Sequence, residues 1–206
     1  MFSRFSSYRF QAKEATLLPL SFLLVSCLFW SGCATHPHTT PLPTVASVDL
    51  ERYAGKWIEI ARYENRFEKG CEGASAEYRI DSKSVLVLNQ CYNEKGERIG
   101  EATGEAKAVE GSHNSRLKVS FFWPFYGDYW IVMLDKEYRY SVVGEPTRRY
   151  LWILSRTATL SSYDRETILA YLPTIGYDPD QLFWTKPIDL AQSVVDKSHA
   201  QEDQNR

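Results

Sequence analysis

Between residues 55 and 155 the chain repeats one pattern: a short run of residues with strand character, followed by a turn of hairpin length. Residues 73–80 alternate apolar and polar side chains, 81–84 are turn-forming, and 85–91 return as an apolar-rich partner. A period of two residues is typical of a strand with one buried face, and two such strands joined by a short turn form a hairpin. This repetition favours an antiparallel all-β fold.

Eight strands are predicted in this way, at 55–62, 73–80, 85–91, 98–109, 117–121, 129–134, 138–143 and 150–155. Antiparallel strands joined in sequence are most simply closed as an eight-stranded up-and-down β-barrel, because closure removes the unpaired edges of an open sheet. The interior of such a barrel is wide enough for one small ligand. Small residues on one face of the strand at 98–109 leave room for it; they are Gly100, Ala102, Gly104, Ala106 and Ala108.

One α-helix is predicted after the barrel strands. Ser161 and Asp164 have the spacing of a capping box, residues 166–172 follow with apolar side chains on one face, and Pro173 restricts the residue before it. We expect this C-terminal helix to pack on the barrel wall, with a short ninth strand at 181–185. The domain is expected to span residues 48–187 and to end in a polar tail at 188–206.

The N-terminus has the composition of an export signal. Three basic residues and one acidic residue lie within 1–14, and no further charged residue occurs before Asp49. Within that uncharged stretch, residues 17–30 form an almost unbroken apolar run of 14 residues. This is shorter than the roughly 18 residues that span a bilayer and fits the apolar region of a signal peptide.

The apolar run is followed by Ser31, Gly32 and Cys33, and the small residues before the cysteine favour a lipoprotein signal at 1–32 with Cys33 as the lipid-bearing residue. Cys27 is the alternative lipid anchor, and an ordinary secretory signal is a second alternative. Residues 33–47, rich in Pro and Thr, are expected to form an extended tether. His36 and His38 lie in this tether without a third ligand nearby, so we interpret them as linker and predict no metal site.

Charge and motifs exclude several classes of function. Removal of residues 1–32, with three basic residues and one acidic residue, changes the net charge from −2 to −4. An acidic chain cannot neutralise a phosphate backbone, so nucleic acid is not expected as a partner. The sequence contains no Ser-His-Asp order and no glycine-rich phosphate loop. We therefore predict a protein that is not an enzyme and has no cofactor.

Three motifs resemble the signatures of the lipocalin family. Gly55 and Trp57 match its Gly-x-Trp motif, 134–138 resembles its second signature, and 151–156 resembles its third. Residues 118–127 are similar to the bacterial outer-membrane lipoprotein lipocalins, which are related to apolipoprotein D. The resemblance covers 48–187 and implies a barrel that carries a small apolar ligand.

The resemblance also implies structural roles. Trp57 and Arg156 are expected to stack at the closed end of the barrel, where packing and cation–π attraction stabilise the fold. Asp135 and Tyr138 are expected in the turn between strands six and seven, although Lys136 and Glu137 depart from the commonest form of that signature.

If the first strand leaves the closed end, the second strand starts at the open end and the third strand returns there. Cys71 and Cys91 are then both near the open rim, where an oxidising compartment would favour a disulfide. Ideal hairpin pairing places Cys91 opposite Ala74, so this bridge requires a local irregularity, and two free thiols are the alternative. Residues 123–127 are expected to form an apolar loop at the open mouth, suited to ligand entry, to lipid, to a second protomer in a homodimer, or to packing on its own rim.

The predicted ligand is a fatty acid or a lysophospholipid, held by a protein anchored to the periplasmic face of the outer membrane. The side chains predicted to line the site are Tyr78, Val119, Phe121, Tyr129, Ile131 and Tyr140. Alternation places Tyr78, Val119 and Phe121 on the apolar faces of their strands. The strands that contain Tyr129, Ile131 and Tyr140 are apolar on both faces. A lipocalin-fold enzyme acting on lipids and a non-binding interaction module of the envelope are the alternative functions.

Overall fold

The computed structural model describes residues 40–82 and 84–188, which contain a closed antiparallel barrel. Each barrel strand pairs with the next, and β1 pairs with both β2 and β8, so the wall is closed. The predicted eight-stranded up-and-down barrel is confirmed. Its strands are β1 (Gly55–Tyr63), β2 (Gly73–Asp81), β3 (Ser84–Tyr92), β4 (Arg98–Ala108), β5 (Arg116–Phe122), β6 (Phe125–Leu134), β7 (Tyr140–Gly144) and β8 (Leu151–Ser155).

Two α-helices and one further strand flank the barrel. Helix α1 (Leu50–Tyr53) precedes β1, and helix α2 (Ser162–Tyr171) follows β8. The predicted cap of α2 is present, since the Ser161 side chain accepts a hydrogen bond from the Asp164 amide. The ninth strand, β9 (Leu182–Trp184), pairs with the second half of β1. None of the helices in the described ranges is long and apolar enough to cross a bilayer.

The two ends of the barrel differ in what covers them. Helix α1 lies at one end, where the Asp49 amide bonds to the Tyr138 hydroxyl and the Val48 amide to the His113 carbonyl. These contacts join it to the β6–β7 and β4–β5 connections, so we call this the closed end. Strands alternate in direction, so the β1–β2, β3–β4, β5–β6 and β7–β8 connections lie at the opposite end, which we call the open end.

Apolar residues form two clusters, one on each side of the barrel wall. The inner cluster takes residues from all eight barrel strands, including Trp57, Tyr78, Leu117 and Leu154. The outer cluster lies between the wall and α2 and includes Ile168 of that helix. Strand residues alternate between the two clusters because successive side chains of a strand point to opposite faces.

Two strand boundaries differ from the sequence prediction. Strand β6 begins at Phe125, four residues earlier than predicted, because Phe125 pairs with Phe122 and Gly127 with Val119 across the β5–β6 hairpin. The predicted loop at 123–127 is therefore a short turn at 123–124 followed by strand. Strand β7 begins at Tyr140 instead of residue 138, because Tyr138 has a φ of 59° and belongs to the preceding turn.

The chain is already packed on the barrel before residue 48. Leu42 is buried in the outer cluster, the Val45 amide bonds to the Ile131 carbonyl at 3.0 Å, and the Thr44 and Ser115 hydroxyls lie 3.1 Å apart. Residues 40–47 thus differ from the expected extended tether, because their apolar side chains gain burial against the wall.

The C-terminal side of the domain is also packed as far as it is described. Ile188, the first residue of the expected polar tail, is buried and lies against Gly73. The predicted signal peptide, Cys27, Cys33, the tether histidines and the rest of the tail lie outside the described residues.

Candidate functional site

The inner face of the barrel brings together five of the six side chains predicted to line a ligand site. Tyr78 and Ile131 are buried members of the inner cluster. Val119, Phe121 and Tyr129 pack against the same cluster and are half-buried. These five side chains come from the adjacent strands β5 and β6 and from β2, whose Tyr78 meets Tyr129 of β6 across the interior.

Tyr140 lies on the other side of the wall, which corrects the expectation that it lines the interior. It belongs to the outer cluster with Ile168 of α2, whereas its neighbours Ser141 and Val143 face inward. Both faces of β7 are covered, one by the barrel contents and one by the helix, so both faces carry apolar residues. Alternation alone could not decide which set points inward.

A chain of hydroxyl groups crosses the base of the interior. The Tyr129 hydroxyl lies 2.9 Å from that of Tyr78 and 2.8 Å from that of Tyr53, which donates to Ser141 Oγ at 3.1 Å. Burial raises the pKa of Tyr53 to about 12 and also raises the pKa values of Tyr78 and Tyr129. All three phenols therefore stay protonated at neutral pH and act as neutral hydrogen-bonding groups.

Three charged side chains meet inside the wall towards the open end. Arg62, 4% exposed, donates from Nη1 to Glu59 Oε1 at 2.7 Å, and Glu59 is itself 3% exposed. Glu68 from the β1–β2 loop lies beside them and accepts a hydrogen bond from Trp152 Nε1 at 3.1 Å. Burial and the neighbouring Glu68 raise the pKa of the Glu59 carboxyl. These contacts tie the β1–β2 loop to β1 and β8.

Space left by small residues on β4 is partly filled by Phe121. A β-carbon built on Gly104 would lie 2.8 Å from Phe121 Cδ1 and 2.7 Å from the Ser120 carbonyl oxygen. Glycine is therefore needed at position 104 for this close approach of β4 and β5. Phe121 covers the wall at this point and is itself only half-buried.

The closed end is built around Trp57 and Arg156. The Arg156 guanidinium carbon lies 3.8 Å from the centre of the Trp57 ring, and the indole nitrogen of Trp57 donates to the Tyr53 carbonyl at 2.8 Å. Arg156 also donates hydrogen bonds to five backbone carbonyls, those of Arg52, Tyr53, Ala54, Lys56 and Tyr138. Gly55, with a φ of 90°, provides the left-handed turn beside this guanidinium.

Asp135 and Tyr138 lie in the turn between β6 and β7. The Asp135 carboxylate accepts hydrogen bonds from the Arg139 backbone and guanidinium, and Arg139 also reaches Asp164 of α2 at 3.0 Å. These bonds hold the pKa of Asp135 below its usual value even though partial burial acts to raise it. The Tyr138 ring lies beneath the Arg52 guanidinium at 4.2 Å. Asp135 and Tyr138 therefore both stabilise the closed end.

Cys71 and Cys91 are joined by a disulfide bond in the structure. Ala74 pairs with Cys91 in the β2–β3 ladder, so the bridge reaches Cys71 outside the regular register. The backbone at Cys71 is also bonded to Arg62, whose Nη2 donates to the Cys71 carbonyl at 2.8 Å. The bridge and Arg62 therefore fasten the same loop at the open end.

Several residues of the interior were not predicted from the sequence. Tyr53 and Ser141 complete the hydroxyl chain, and Glu59, Arg62 and Glu68 form the charged group. Glu59 and Arg62 lie between apolar residues in the part of β1 from Trp57 to Tyr63, and this was an available signal, since buried charges are rare unless they are paired. No group of side chains that could hold a metal ion was found in the ranges 40–82 and 84–188.

The comparison with family models assigns the fold to a family. The model of the lipocalin-like domain matches residues 48–187. The chain belongs to the lipocalin family. The identification made from the Gly-x-Trp motif and the two later signatures is confirmed.

Curated relatives place this lipocalin near two named proteins. It is 37% identical over 171 residues to the outer membrane lipoprotein Blc of Escherichia coli strain K12, a match that covers 82% of this chain and 97% of that protein. It is 32% identical over 133 residues to apolipoprotein D of Macaca fascicularis, covering 60% of this chain and 68% of that protein. The predicted similarity to the bacterial lipoprotein lipocalins and to apolipoprotein D is therefore confirmed.

Solved structures show the same architecture. Insecticyanin from the tobacco hornworm Manduca sexta superimposes with a TM-score of 0.60 at 20% identity, covering 74% of this chain and 87% of that one. At this identity the likeness supports the lipocalin fold and carries no information about the ligand.

Proposed function

We propose that this lipocalin is a lipid-anchored protein of the outer membrane, on its periplasmic face, that stores or transports a fatty acid or lysophospholipid. The observation that carries the proposal is the inner wall formed by Val119, Phe121 and Tyr129. These side chains pack against the inner cluster and are only half-buried, so they retain apolar surface that a ligand can cover. The Escherichia coli relative is an outer membrane lipoprotein by name, which supports the outer membrane as the location.

An acyl chain fits this surface chemically. Each buried methylene contributes about 0.8 kcal/mol, so a long chain supplies affinity without a specific polar contact. We therefore expect selectivity by chain length and head-group bulk, and weaker binding of two-chain phospholipids.

Asn89 follows Val85 and Val87 on the inner face of β3, and its Oδ1 is buried without a hydrogen-bond partner among the described residues. This oxygen is an acceptor that a ligand hydroxyl could satisfy.

The anchor is assigned to Cys33. A polar segment begins directly after it, and the next residue, Ala34, is not the aspartate associated with retention in the inner membrane. Metabolic labelling with palmitate is expected to be lost in Cys33→Ala and kept in Cys27→Ala. Loss of the label only in Cys27→Ala would move the anchor to that residue.

Binding is tested by lipid extraction and titration. Mass spectrometry of lipid extracted from gently purified protein should find a single-chain amphiphile. Titration with a fluorescent fatty acid should saturate, and Phe121→Asp should weaken the binding at least tenfold by placing a charge on the inner wall. Phe122→Asp is the matched control, because Phe122 is the adjacent residue in sequence and is exposed.

Three outcomes would contradict the proposal. Absence of saturable binding to any acyl ligand would favour the interaction-module alternative. Equal binding by wild type, Phe121→Asp and Phe122→Asp would place the ligand elsewhere. Hydrolysis or conversion of the bound lipid by the purified protein would favour the enzyme alternative.

A further inference from the structure

The tip of the β5–β6 hairpin exposes a concentrated group of aromatic side chains at the open end. Phe122 is 79% exposed, Trp123 83% and Phe125 77%, and Tyr126 beside them is also exposed. Monomeric soluble proteins rarely expose contiguous apolar patches of large area without a binding role. From this hairpin tip and its position we propose that residues 122–126 dock into the lipid bilayer to which the protein is anchored.

The composition of the hairpin tip fits a bilayer interface. No charged residue occurs between Ser120 and Asp128, so insertion of the tip would not remove a charge from water. Tryptophan and tyrosine are enriched where the hydrocarbon of a membrane meets the head groups. Lys118 and Asp128 form an ion pair at 2.8 Å, just below the tip on the same hairpin. Moving these two charges into the hydrocarbon would remove them from water, so we expect insertion to stop above this ion pair.

The start of the described chain lies at the same end of the barrel as the hairpin tip. Arg148, in the β7–β8 connection at the open end, donates from Nη2 to the Thr40 carbonyl at 2.9 Å. Thr40 is the seventh residue after Cys33, and an extended chain of that length spans at most about 25 Å. The inference rests on the proposed anchor at Cys33, which keeps the open end, and therefore the tip, close to the membrane.

The wall beside the hairpin tip is incompletely paired. Among the described residues, β4 has partners on β5 only from Glu105 to Ala108, although β4 itself begins at Arg98. Phe121, next to the tip, lies against Gly104 where this pairing ends. Docking of the tip would therefore bring the unpaired part of the wall, and the inner surface behind it, next to the lipid.

Membrane binding by the hairpin tip is expected to depend on the transfer of its apolar side chains from water into the bilayer. The proposed mature chain has a net charge of −4, and the tip itself carries no basic residue that would attract anionic lipid. Insertion should therefore be insensitive to ionic strength and should occur on vesicles with or without anionic lipid. A second copy of the chain covering the tip is the main competing occupant, and the experiment separates it from lipid.

The test uses acylated protein isolated from membranes and reconstituted into vesicles of phosphatidylethanolamine and phosphatidylglycerol. When the lipids carry bromine on their acyl chains, tryptophan emission is expected to be quenched in the wild type. Trp123→Ser should remove most of that quenching, and Trp184→Ser, which changes a partly exposed tryptophan on β9, should leave it in place. Phe125→Ser is a second variant that keeps Trp123 as the reporter and should at least halve its quenching.

Vesicle flotation, iodide quenching and a salt series complete the experiment. Protein that floats with the vesicles while Trp123 remains open to iodide and unquenched by bromolipid would overturn the docking inference and leave the anchor intact. Protection from iodide without bromolipid quenching would assign the tip to a second copy. Protein that does not float would overturn the anchor and this inference with it. Quenching lost between 0.1 and 0.5 M salt would overturn the apolar partition mechanism.

Discussion

The two ends of the barrel use aromatic and charged side chains in opposite ways. At the closed end, Trp57 is buried beneath Arg156, and the guanidinium satisfies five backbone carbonyls. At the open end, Trp123 is exposed, and the buried Glu59 shares a site with Arg62 and Glu68. The contacts at the closed end thus stabilise the fold, whereas the open end leaves apolar surface exposed and buries charged side chains, which is unfavourable.

A second arginine–tryptophan pair sharpens this contrast. The Arg165 guanidinium carbon lies 3.9 Å from the centre of the Trp184 ring on the outside of the barrel, a geometry close to that of Arg156 over Trp57. Trp184 is partly exposed, whereas Trp57 is fully buried. Similar contact geometry should therefore have different energetic value, because burial determines how much packing the ring contributes.

The largest expected effect is that of Trp57→Ala. Truncation of a large buried aromatic side chain removes apolar burial and leaves a cavity, so the free energy of unfolding should fall by about 3–5 kcal/mol. Trp184→Ala, the matched control, should cost about 1 kcal/mol or less. Denaturant unfolding followed by circular dichroism measures both. Equal losses for the two variants would contradict the special role of the closed end, and Arg156→Ala should cost less than Trp57→Ala.

Removal of the disulfide is expected to have the next largest effect. Cys71→Ser combined with Cys91→Ser removes a cross-link between residues 20 apart in sequence, and the free energy of unfolding should fall by about 3 kcal/mol. Reduction of the wild type should lower its melting temperature to a similar extent. A double variant as stable as the oxidised wild type would show that the open end does not depend on this bridge.

The next expected effect is a pH dependence of folding at Glu59, whose carboxyl is buried beside Glu68. Its pKa is raised in the folded protein, so folding favours the protonated carboxyl. The corresponding stability is present below the ordinary value of 4.5 and is lost as pH rises through the folded-state pKa. Glu59→Gln should therefore lose less stability than the wild type between pH 4 and alkaline pH, as measured by chemical denaturation.

An exposed glutamate provides the control for this pH dependence. Glu64, the second residue after Arg62, is exposed, and Glu64→Gln should leave the pH profile of the wild type unchanged. If Glu59→Gln and Glu64→Gln have the same profile, the buried charged group does not contribute to the pH dependence of folding.

The smallest expected effect on stability is that of Trp123→Ser. The side chain is almost fully exposed, so the free energy of unfolding should change by no more than about 0.5 kcal/mol in solution. The same kind of residue thus has a large effect at position 57 and a negligible one at position 123. A loss of several kcal/mol in solution would mean that the hairpin tip is packed against the barrel and is not available for docking.

Local periodicity was sufficient to predict the barrel and much of its inner wall. The alternation around Tyr78 and Phe121 identifies one apolar face for each strand, and a barrel has one interior to receive it. The capping signal at Ser161 correctly located the start of α2. These features depend on residues near one another in sequence, which is why they could be predicted without the structure.

Tertiary packing decided what periodicity could not. Tyr140 faces outward because α2 covers β7, and a strand that is apolar on both faces carries no local signal of its orientation. Glu59 and Glu68 meet because the β1–β2 loop folds back over β1. By itself the sequence determined the strands, the helix and the family, since these follow from local pattern and motif. The structure alone determined which faces and charges meet, because those contacts depend on how distant segments close around one interior.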